Sequence, residues 1–211
     1  METLQALSLA LGTAWTSGIN VYATVAALGI AGQMDMIQLP PDLQVLMNPA
    51  VIAVACIMYV IEFFADKVPY VDSGWDVLHT FIRIPAGAVL AARSLGPMNP
   101  ALELAALLAG GTVALAAHGT KATARLAINA SPEPFSNWFA SVAEDVTVLG
   151  GIWMIFNHPI VMLILVLGFL AMMVWLIPKL FRLAKRGFQA LRGRLRAKPD
   201  PTAPTGSPQL S

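Results

Sequence analysis

The residues of this chain that could do chemistry are concentrated in one stretch between two apolar runs. From Glu62 to Arg83 the sequence reads EFFADKVPYVDSGWDVLHTFIR. Glu62 and Asp66 are one helical turn apart and therefore share a helix face. A second stripe at helical spacing follows it, formed by Asp72, Asp76, His79 and Arg83. Carboxylates grouped with a histidine inside an apolar chain are typical of a path for protons or cations.

Two further stretches supply polar residues that we expect to face this one. The run PEPFSNWFASVAED carries a stripe later in the chain, and TSGIN interrupts the first apolar run. A broken helix exposes backbone groups that often coordinate ions or substrates. The predicted ion pathway consists of Glu62, Asp66, Asp76, His79, Arg83, Glu144 and Asp145. The predicted pocket lining consists of Ser17, Asn20, Asn137 and Ser141.

The same carboxylates allow a second hypothesis, a membrane enzyme that acts on lipid head groups. A divalent metal would then be held by Glu62, Asp72 and Asp76. Two or three carboxylates near one histidine are a weak metal signal by themselves. The sequence contains no Walker loop, HExxH, Gly-x-Ser-x-Gly or CxxC motif, and we expect no cofactor.

A third hypothesis is a scaffold without catalytic function, in which the buried charges only hold the helices together. Individual residues also have a structural alternative, in which Asp66, Lys67 and Asp72 are solvated charges of a linker. In the same way, Lys121 and Arg125 would only set the orientation of the chain in the membrane. The sequence leaves these alternatives open.

The composition predicts an integral membrane protein. The chain has 211 residues, of which 57% are hydrophobic and 12% charged, whereas a soluble domain carries about 25% charged residues. We predict an all-α polytopic fold with about six transmembrane helices, in a single domain over residues 1–178. The predicted spans are 4–30 (broken at 16–20), 49–64, 76–95, 100–117, 137–156 and 159–177.

The distribution of basic residues predicts orientation and location. Eight of the 13 Lys and Arg residues lie between Lys179 and Lys198, in a predicted basic amphipathic helix that contacts anionic lipids of the bilayer. The positive-inside rule then places both termini in the cytoplasm of a multi-pass protein of the bacterial inner membrane. Residues 199–211 are predicted to be disordered. We expect no nucleic-acid partner, because the basic run adjoins the membrane.

A short repeat suggests a duplicated two-helix unit. MNPA occurs at Met47–Ala50 and again at Met98–Ala101, each time before an apolar run. PYVDSGW and PEPFSNW form a second echo. We predict repeats at about 47–97 and 98–157, which would bring the linkers at 66–75 and 119–136 together, as in parallel-repeat transporters.

The strings EFFADKVPYVDSGWDVLHTFIRIPAGA and SPEPFSNWFASVAED, together with SGIN, resemble a family of small bacterial integral membrane proteins. This family is classed as domain of unknown function 4126, and the resemblance covers about residues 4–175. It implies a membrane location and gives no activity or substrate. From the residues themselves, the leading hypothesis is a small transporter or channel, coupled to protons or cations. A channel of this size is expected to form a homo-oligomer.

Overall fold

The computed structural model describes residues 2–68, 71–129 and 134–196. The described residues form seven α-helices, a short 3-10 helix and no strand, so the predicted all-α class is confirmed. The α-helices are α1 (Glu2–Ile19), α2 (Val21–Gln33), α3 (Pro49–Ala65), α4 (Val71–Ser94), α5 (Pro100–Asn129), α6 (Pro134–Asn157) and α7 (Pro159–Arg196). The 3-10 helix is Pro41–Met47.

Asn-Pro pairs start two of the long helices. The side chain of Asn48 accepts a hydrogen bond from the backbone N–H of Ala50 at 2.8 Å, and Pro49 occupies the first turn of α3. Asn99 accepts from Leu102 N–H at 3.0 Å, directly before α5. Asparagine satisfies an amide that has no partner within the helix, and proline is tolerated there because the first-turn N–H has no partner either. The MNPA motifs therefore mark helix starts.

Helices α3 to α6 follow one another along the chain, and the predicted duplication of a two-helix unit is not confirmed. We call the end of these helices at which α3 ends and α4 begins the charged end, and the other the far end. The exposed ion pair of Arg93 with Asp42, at 3.8 Å, lies at the far end. Helix α5 continues to Asn129, so most of the predicted linker 119–136 is helical.

The predicted first span, 4–30, is wrong as a single crossing. Gly12 packs against Ile155 and Thr16 against Gly151, so α1 runs antiparallel to α6 and starts at the far end. Helix α2 starts near the charged end, where Tyr22 contacts His79, and returns to the far end. There Gly29 packs against the Leu46 carbonyl. The chain reverses at Asn20, whose side chain caps α2 by accepting from Ala23 N–H at 2.9 Å.

Three described helices are long and apolar enough to cross a membrane, or four if the bent pair of the 3-10 helix and α3 counts as one span. These are α5, residues Phe135–Asn157 of α6 and residues Pro159–Lys179 of α7. The apolar helices identify a membrane protein, whereas six spans are not confirmed. Neither α1 nor α2 is among the described helices that are long and apolar enough to cross a membrane alone.

Small residues let α1, α4 and α5 approach closely. A Cβ on Gly18 would lie 2.5 Å from the Ala114 carbonyl oxygen and 2.7 Å from Ala117 Cβ. Gly87 of α4 packs against Ala114 and Ser17 in the same layer. Helix contacts through small residues are typical of membrane proteins, where apolar side chains gain little by avoiding lipid. This packing fixes the relative position of the helices that carry the charged residues.

The chain divides into two compact units, Met1–Leu170 and Ala171–Ser211, with the boundary inside α7. The predicted basic helix 179–198 is helical to Arg196 and is the end of α7 rather than a separate element. Its contact with anionic lipid stays a prediction. The predicted disordered tail, 199–211, lies outside the described residues.

Candidate functional site

Buried charged side chains from α3, α4, α5 and α6 meet near the charged end and form one network. Its anions are Glu62, Asp66, Asp76 and Glu144, and its cations are Arg83, Lys121 and Arg125. We call these seven residues the ion cluster. Helices α3, α4 and α5 each contribute two residues one or two turns apart, which places the two on one helix face, and α6 contributes Glu144. Burial makes such a cluster costly unless its charges are paired.

Arg83 connects α4 to α3 and α5. It is completely buried and pairs with Glu62 through Nη2 and with Asp76 through Nη1, the latter at 3.2 Å. The same Nη1 lies 3.1 Å from Nδ1 of His118 on α5. An arginine this deep requires anionic partners, because its guanidinium does not lose its charge.

Lys121 lies at the centre of the ion cluster. Its Nζ is 2.9 Å from Asp66 and 3.2 Å from both Glu62 and Glu144. Asp76 is 3.9 Å away. One ammonium group therefore contacts all four carboxylates, which come from α3 and its end, α4 and α6.

Arg125 binds the carboxylate of α6 in a two-pronged contact. Its Nε and Nη2 donate to the two oxygens of Glu144 at 3.0 and 2.9 Å. Nη1 donates to the backbone carbonyls of Asp66 at 2.9 Å and Asn137 at 3.2 Å. Planar guanidinium suits this geometry better than an ammonium group would.

A chain of amide side chains continues the network toward the start of α4. Asn129 donates to both carboxylate oxygens of Asp72, at 2.8 and 2.9 Å. Asn137 donates to the Asn129 side-chain oxygen at 3.0 Å, and the Asn137 carbonyl accepts from Arg125. Asp72, Asn129 and Asn137 are all buried. Asp72 is therefore part of a packed polar core and not a solvated linker charge.

The two charged residues that follow α3 are buried as well. Burial alone raises the pKa of Asp66, but the positive charges of Lys121 and Arg125 outweigh it and hold the pKa below its ordinary value. Lys67 donates to the Phe63 carbonyl at 2.9 Å and to Ser141 Oγ at 3.2 Å, and its Nζ lies over the Phe63 ring. Burial lowers the pKa of Lys67.

Two histidines border the ion cluster. His79 Nδ1 lies 2.8 Å from the Trp75 carbonyl and Nε2 lies 3.1 Å from the Tyr22 hydroxyl of α2. His118 Nε2 lies 2.8 Å from the Thr80 hydroxyl. His118 thus contacts α4 at two points, Thr80 and Arg83, and His79 joins α4 to the α1–α2 hairpin.

The ion cluster contains more carboxylates than cations. Four carboxylates face three cations, so the cluster carries one negative charge in excess if every group is ionised. Among the described residues, three of its buried carboxylate oxygens have no hydrogen-bond partner: Glu62 Oε2, Asp66 Oδ1 and Asp76 Oδ2. A buried oxygen without a partner costs free energy that a proton or a cation would recover.

A family model described as Domain of unknown function (DUF4126) matches residues 7–179. The chain belongs to this family. The matched segment contains the whole ion cluster and the α1–α2 hairpin from residue 7 onward. No curated protein and no solved structure matches the chain.

Most of the predicted site residues of this family member come together. Glu62, Asp66, Asp76, Arg83 and Glu144 belong to the ion cluster. The buried amide Asn137 contacts Arg125, and Ser141 contacts Lys67. Their predicted role in an ion pathway stays a prediction.

The remaining predicted residues lie beside the ion cluster. Asp145 shares a hydrogen bond with Tyr59, and His79 contacts Tyr22. Ser17 donates to the Ala14 carbonyl at 3.0 Å, and Asn20 caps α2. The contact of His79 with Tyr22 connects the hairpin to α4, and none of these contacts places its residues in the ion cluster.

The predicted metal ligands Glu62, Asp72 and Asp76 do not form a metal site in the described residues. Nowhere in the described ranges do three His, Cys, Asp or Glu side chains group so as to hold a metal ion. Glu62 and Asp76 face Arg83, while Asp72 faces Asn129.

The interpretation of Lys121 and Arg125 as residues that only set topology does not fit their positions, because both are buried inside the ion cluster. The sequence contains a pattern that indicates the pairing of these two cations with carboxylates. Lys121 and Arg125 are four residues apart on α5, as Glu62 and Asp66 are at the end of α3. Two oppositely charged pairs with the same spacing can pair across two helices. His118, Thr80 and Asn129 carried no comparable signal.

Proposed function

We propose that this protein is a small membrane transporter or channel coupled to protons or cations, and that the ion cluster is its coupling site. The observation that supports the proposal is the excess negative charge of the cluster, together with its three buried carboxylate oxygens that have no partner among the described residues. A purely structural network gains nothing from an extra buried carboxylate.

The contacts of Lys121 suggest how one charge could be exchanged. Its ammonium contacts four carboxylates, so protonation of any one of them leaves it with three partners. Binding or loss of one proton would thus change the pairing of the cations without leaving any of them unpaired. Asp76 is the carboxylate furthest from Lys121 and is also held by Arg83.

The position of the α1–α2 hairpin is a second observation that supports a transport function. Its tip, at Asn20 and Tyr22, lies next to His79 beside the ion cluster. A helix pair that turns back inside the bilayer shortens the distance between the site and the far end. Interrupted helices of this kind border the binding sites of several transporter folds.

Proton flux in proteoliposomes tests the proposal. The purified protein is reconstituted with a pH-sensitive dye inside the vesicles, and a potassium gradient with valinomycin supplies a membrane potential. We expect the wild type to acidify the lumen, and we expect Glu62→Gln and Asp76→Asn to reduce the rate to that of protein-free vesicles. Repeating the assay with a sodium indicator, and with a potassium indicator in the absence of valinomycin, distinguishes proton from cation movement.

Glu103→Gln is the matched control, because it removes a carboxylate from α5 at the far end, outside the ion cluster. We expect this variant to transport like the wild type. Equal flux of protons, sodium and potassium in wild type, Glu62→Gln and Asp76→Asn would overturn the assignment of the coupling site. Absence of flux above protein-free vesicles for all three ions would overturn the transport function.

A further inference from the structure

A groove opens beside the ion cluster, between α1, α5, α6 and Phe169 of α7. Its volume is about 230 Å³, and most of its lining is apolar. Trp15 and Phe169 form one wall, with their ring centroids 6.0 Å apart in an edge-to-face arrangement. Ala124 and Ala143 line the groove from α5 and α6, which contact each other only lightly.

The polar lining of this groove includes part of the ion cluster. Glu144 and Lys121 reach it, with Glu144 Oε2 3.2 Å from Lys121 Nζ. The Glu144 side chain is 18% exposed, whereas those of Glu62, Asp66 and Asp76 are at most 4% exposed. Lys121 is only 2% exposed and is surrounded by carboxylates. The most exposed charged group of the groove lining is therefore the carboxylate of Glu144, which also accepts hydrogen bonds from Arg125.

The surroundings add to this negative character. The described residues near the charged end include Asp72 and Asp145 besides the four carboxylates of the ion cluster, against the cations Arg83, Lys121, Arg125 and Lys67. Among these ten residues, all of them in the unit Met1–Leu170, carboxylates outnumber cations, six to four. An anionic occupant such as a fatty acid would add to a negative excess that a cation would reduce.

We propose that this groove binds an organic cation with an apolar body. Aromatic rings attract cations that have lost part of their water, and quaternary ammonium groups are recognised in this way. Trp15 and Phe169 supply the rings, the alanines of α5 and α6 leave room for apolar substituents, and Glu144 supplies the counter-charge. A mainly apolar lining offers few polar groups to replace the water around a small hydrated ion. The proposal builds on the proposed transport function by naming a class of substrate, although binding can be measured without transport.

Isothermal titration calorimetry on the full-length protein in detergent tests the proposal by measuring the heat of ligand binding. The probe is benzyltrimethylammonium, and protein-free micelles correct for its partition into detergent. Phenylbutyrate provides an anion with a similar apolar body, and sodium provides a cation without one. We expect saturable binding of benzyltrimethylammonium, with no binding of phenylbutyrate or sodium.

Two variants test the location without touching the charges. Trp15→Leu removes a ring of the groove, and Ala124→Trp fills it. Both should weaken binding of benzyltrimethylammonium by about tenfold or more. Trp153→Leu is the matched control, because Trp153 is exposed on α6 and does not line the groove. Glu144→Gln should weaken binding as well. If Glu144→Gln folds poorly, Trp15→Leu still tests the location of the site.

Each outcome decides between occupants. Equal binding of phenylbutyrate and benzyltrimethylammonium would show a slot for lipid tails and overturn the proposal. Binding that Trp15→Leu and Ala124→Trp leave unchanged would overturn the location. Loss of flux in Glu62→Gln without any binding of benzyltrimethylammonium would overturn this inference and leave the proposed function standing. Binding of benzyltrimethylammonium without proton, sodium or potassium flux would overturn the proposed function and leave this inference standing.

Discussion

Arg125 of α5 donates hydrogen bonds to both carboxylate oxygens of Glu144 on α6, at 3.0 and 2.9 Å. The Arg125 side chain is 1% exposed. The pair joins two helices that otherwise contact each other only lightly. Because a buried cation and its carboxylate depend on each other, the stability of this fold should depend strongly on the pair.

A double-mutant cycle on Arg125→Met and Glu144→Gln measures this dependence. Arg125→Met should lower the free energy of unfolding by about 3–5 kcal/mol, since it leaves Glu144 and Asp66 short of a cation. The double variant should lose less than the sum of the single losses. Unfolding by denaturant, followed by tryptophan fluorescence in detergent, gives the values. The exposed pair of Arg93 and Asp42 is the control, with an expected coupling below about 1 kcal/mol.

Lys121→Met distinguishes a buried partner from a residue that only sets topology. Removal of this ammonium takes a shared cation from four carboxylates, so the midpoint of thermal unfolding should fall strongly. Lys179→Met removes the same charge from an exposed position and should leave the midpoint close to that of the wild type. Equal midpoints for the two variants would contradict the central position of Lys121.

Gly18→Ala tests the close approach of α1 and α5. The new methyl group would meet the Ala114 carbonyl oxygen at 2.5 Å and Ala117 Cβ at 2.7 Å, so the helices must separate. We expect a loss of about 1–3 kcal/mol in the free energy of unfolding. The matched control, Gly150→Ala, places a methyl group where no atom lies within 4 Å among the described residues. Gly150→Ala should leave stability unchanged or raise it slightly.

The sequence predicted the helices well but did not predict how they turn. Apolar runs and the Asn-Pro caps placed α3, α4 and α6 within a few residues of their observed bounds, because both are local properties of the chain. The break at Asn20 was also predicted, yet a break does not indicate whether the next helix continues or reverses. That choice depends on contacts distant in sequence, such as Gly12 with Ile155 and Gly29 with Leu46.

The candidate site was predicted in the same partial way. Carboxylates and Arg83 were recognised because a charge in an apolar run is conspicuous. Lys121 and Arg125 were assigned to topology because the positive-inside rule already explained them. Their burial follows from the length of α5, which continues to Asn129 and carries both cations to the level of Glu62 and Asp66.

The lowered pKa of Asp66 predicts how stability changes in acid. A carboxyl whose pKa is lower in the folded protein contributes stability that is fully present above its ordinary value of 3.8. That contribution is lost as the pH falls from 3.8 through the folded pKa. Asp66→Asn should therefore flatten the acid branch of the curve of unfolding temperature against pH. Asp35→Asn, at an exposed position, should keep the wild-type slope, and equal slopes for both variants would contradict the prediction.

The reversal at Asn20 predicts on which side of the membrane the ends of the hairpin lie. Gln5 and Met36 should both be at the far end, on the same face as Arg93, whereas a single broken span would put Gln5 and Met36 on opposite faces. Val68, after α3, marks the charged end.

Labelling of single cysteines checks this arrangement in right-side-out and inverted membrane vesicles. Each variant carries one of Gln5→Cys, Met36→Cys, Arg93→Cys or Val68→Cys in a Cys56→Ala background, since Cys56 is the only cysteine of the chain. A membrane-impermeant maleimide should label the cysteines at Gln5, Met36 and Arg93 in one type of vesicle and the cysteine at Val68 in the other. Labelling of Gln5→Cys and Val68→Cys in the same type of vesicle would mean that α1 and α2 cross the membrane as one span. The N-terminus would then lie on the same face as the charged end, as the positive-inside rule predicts.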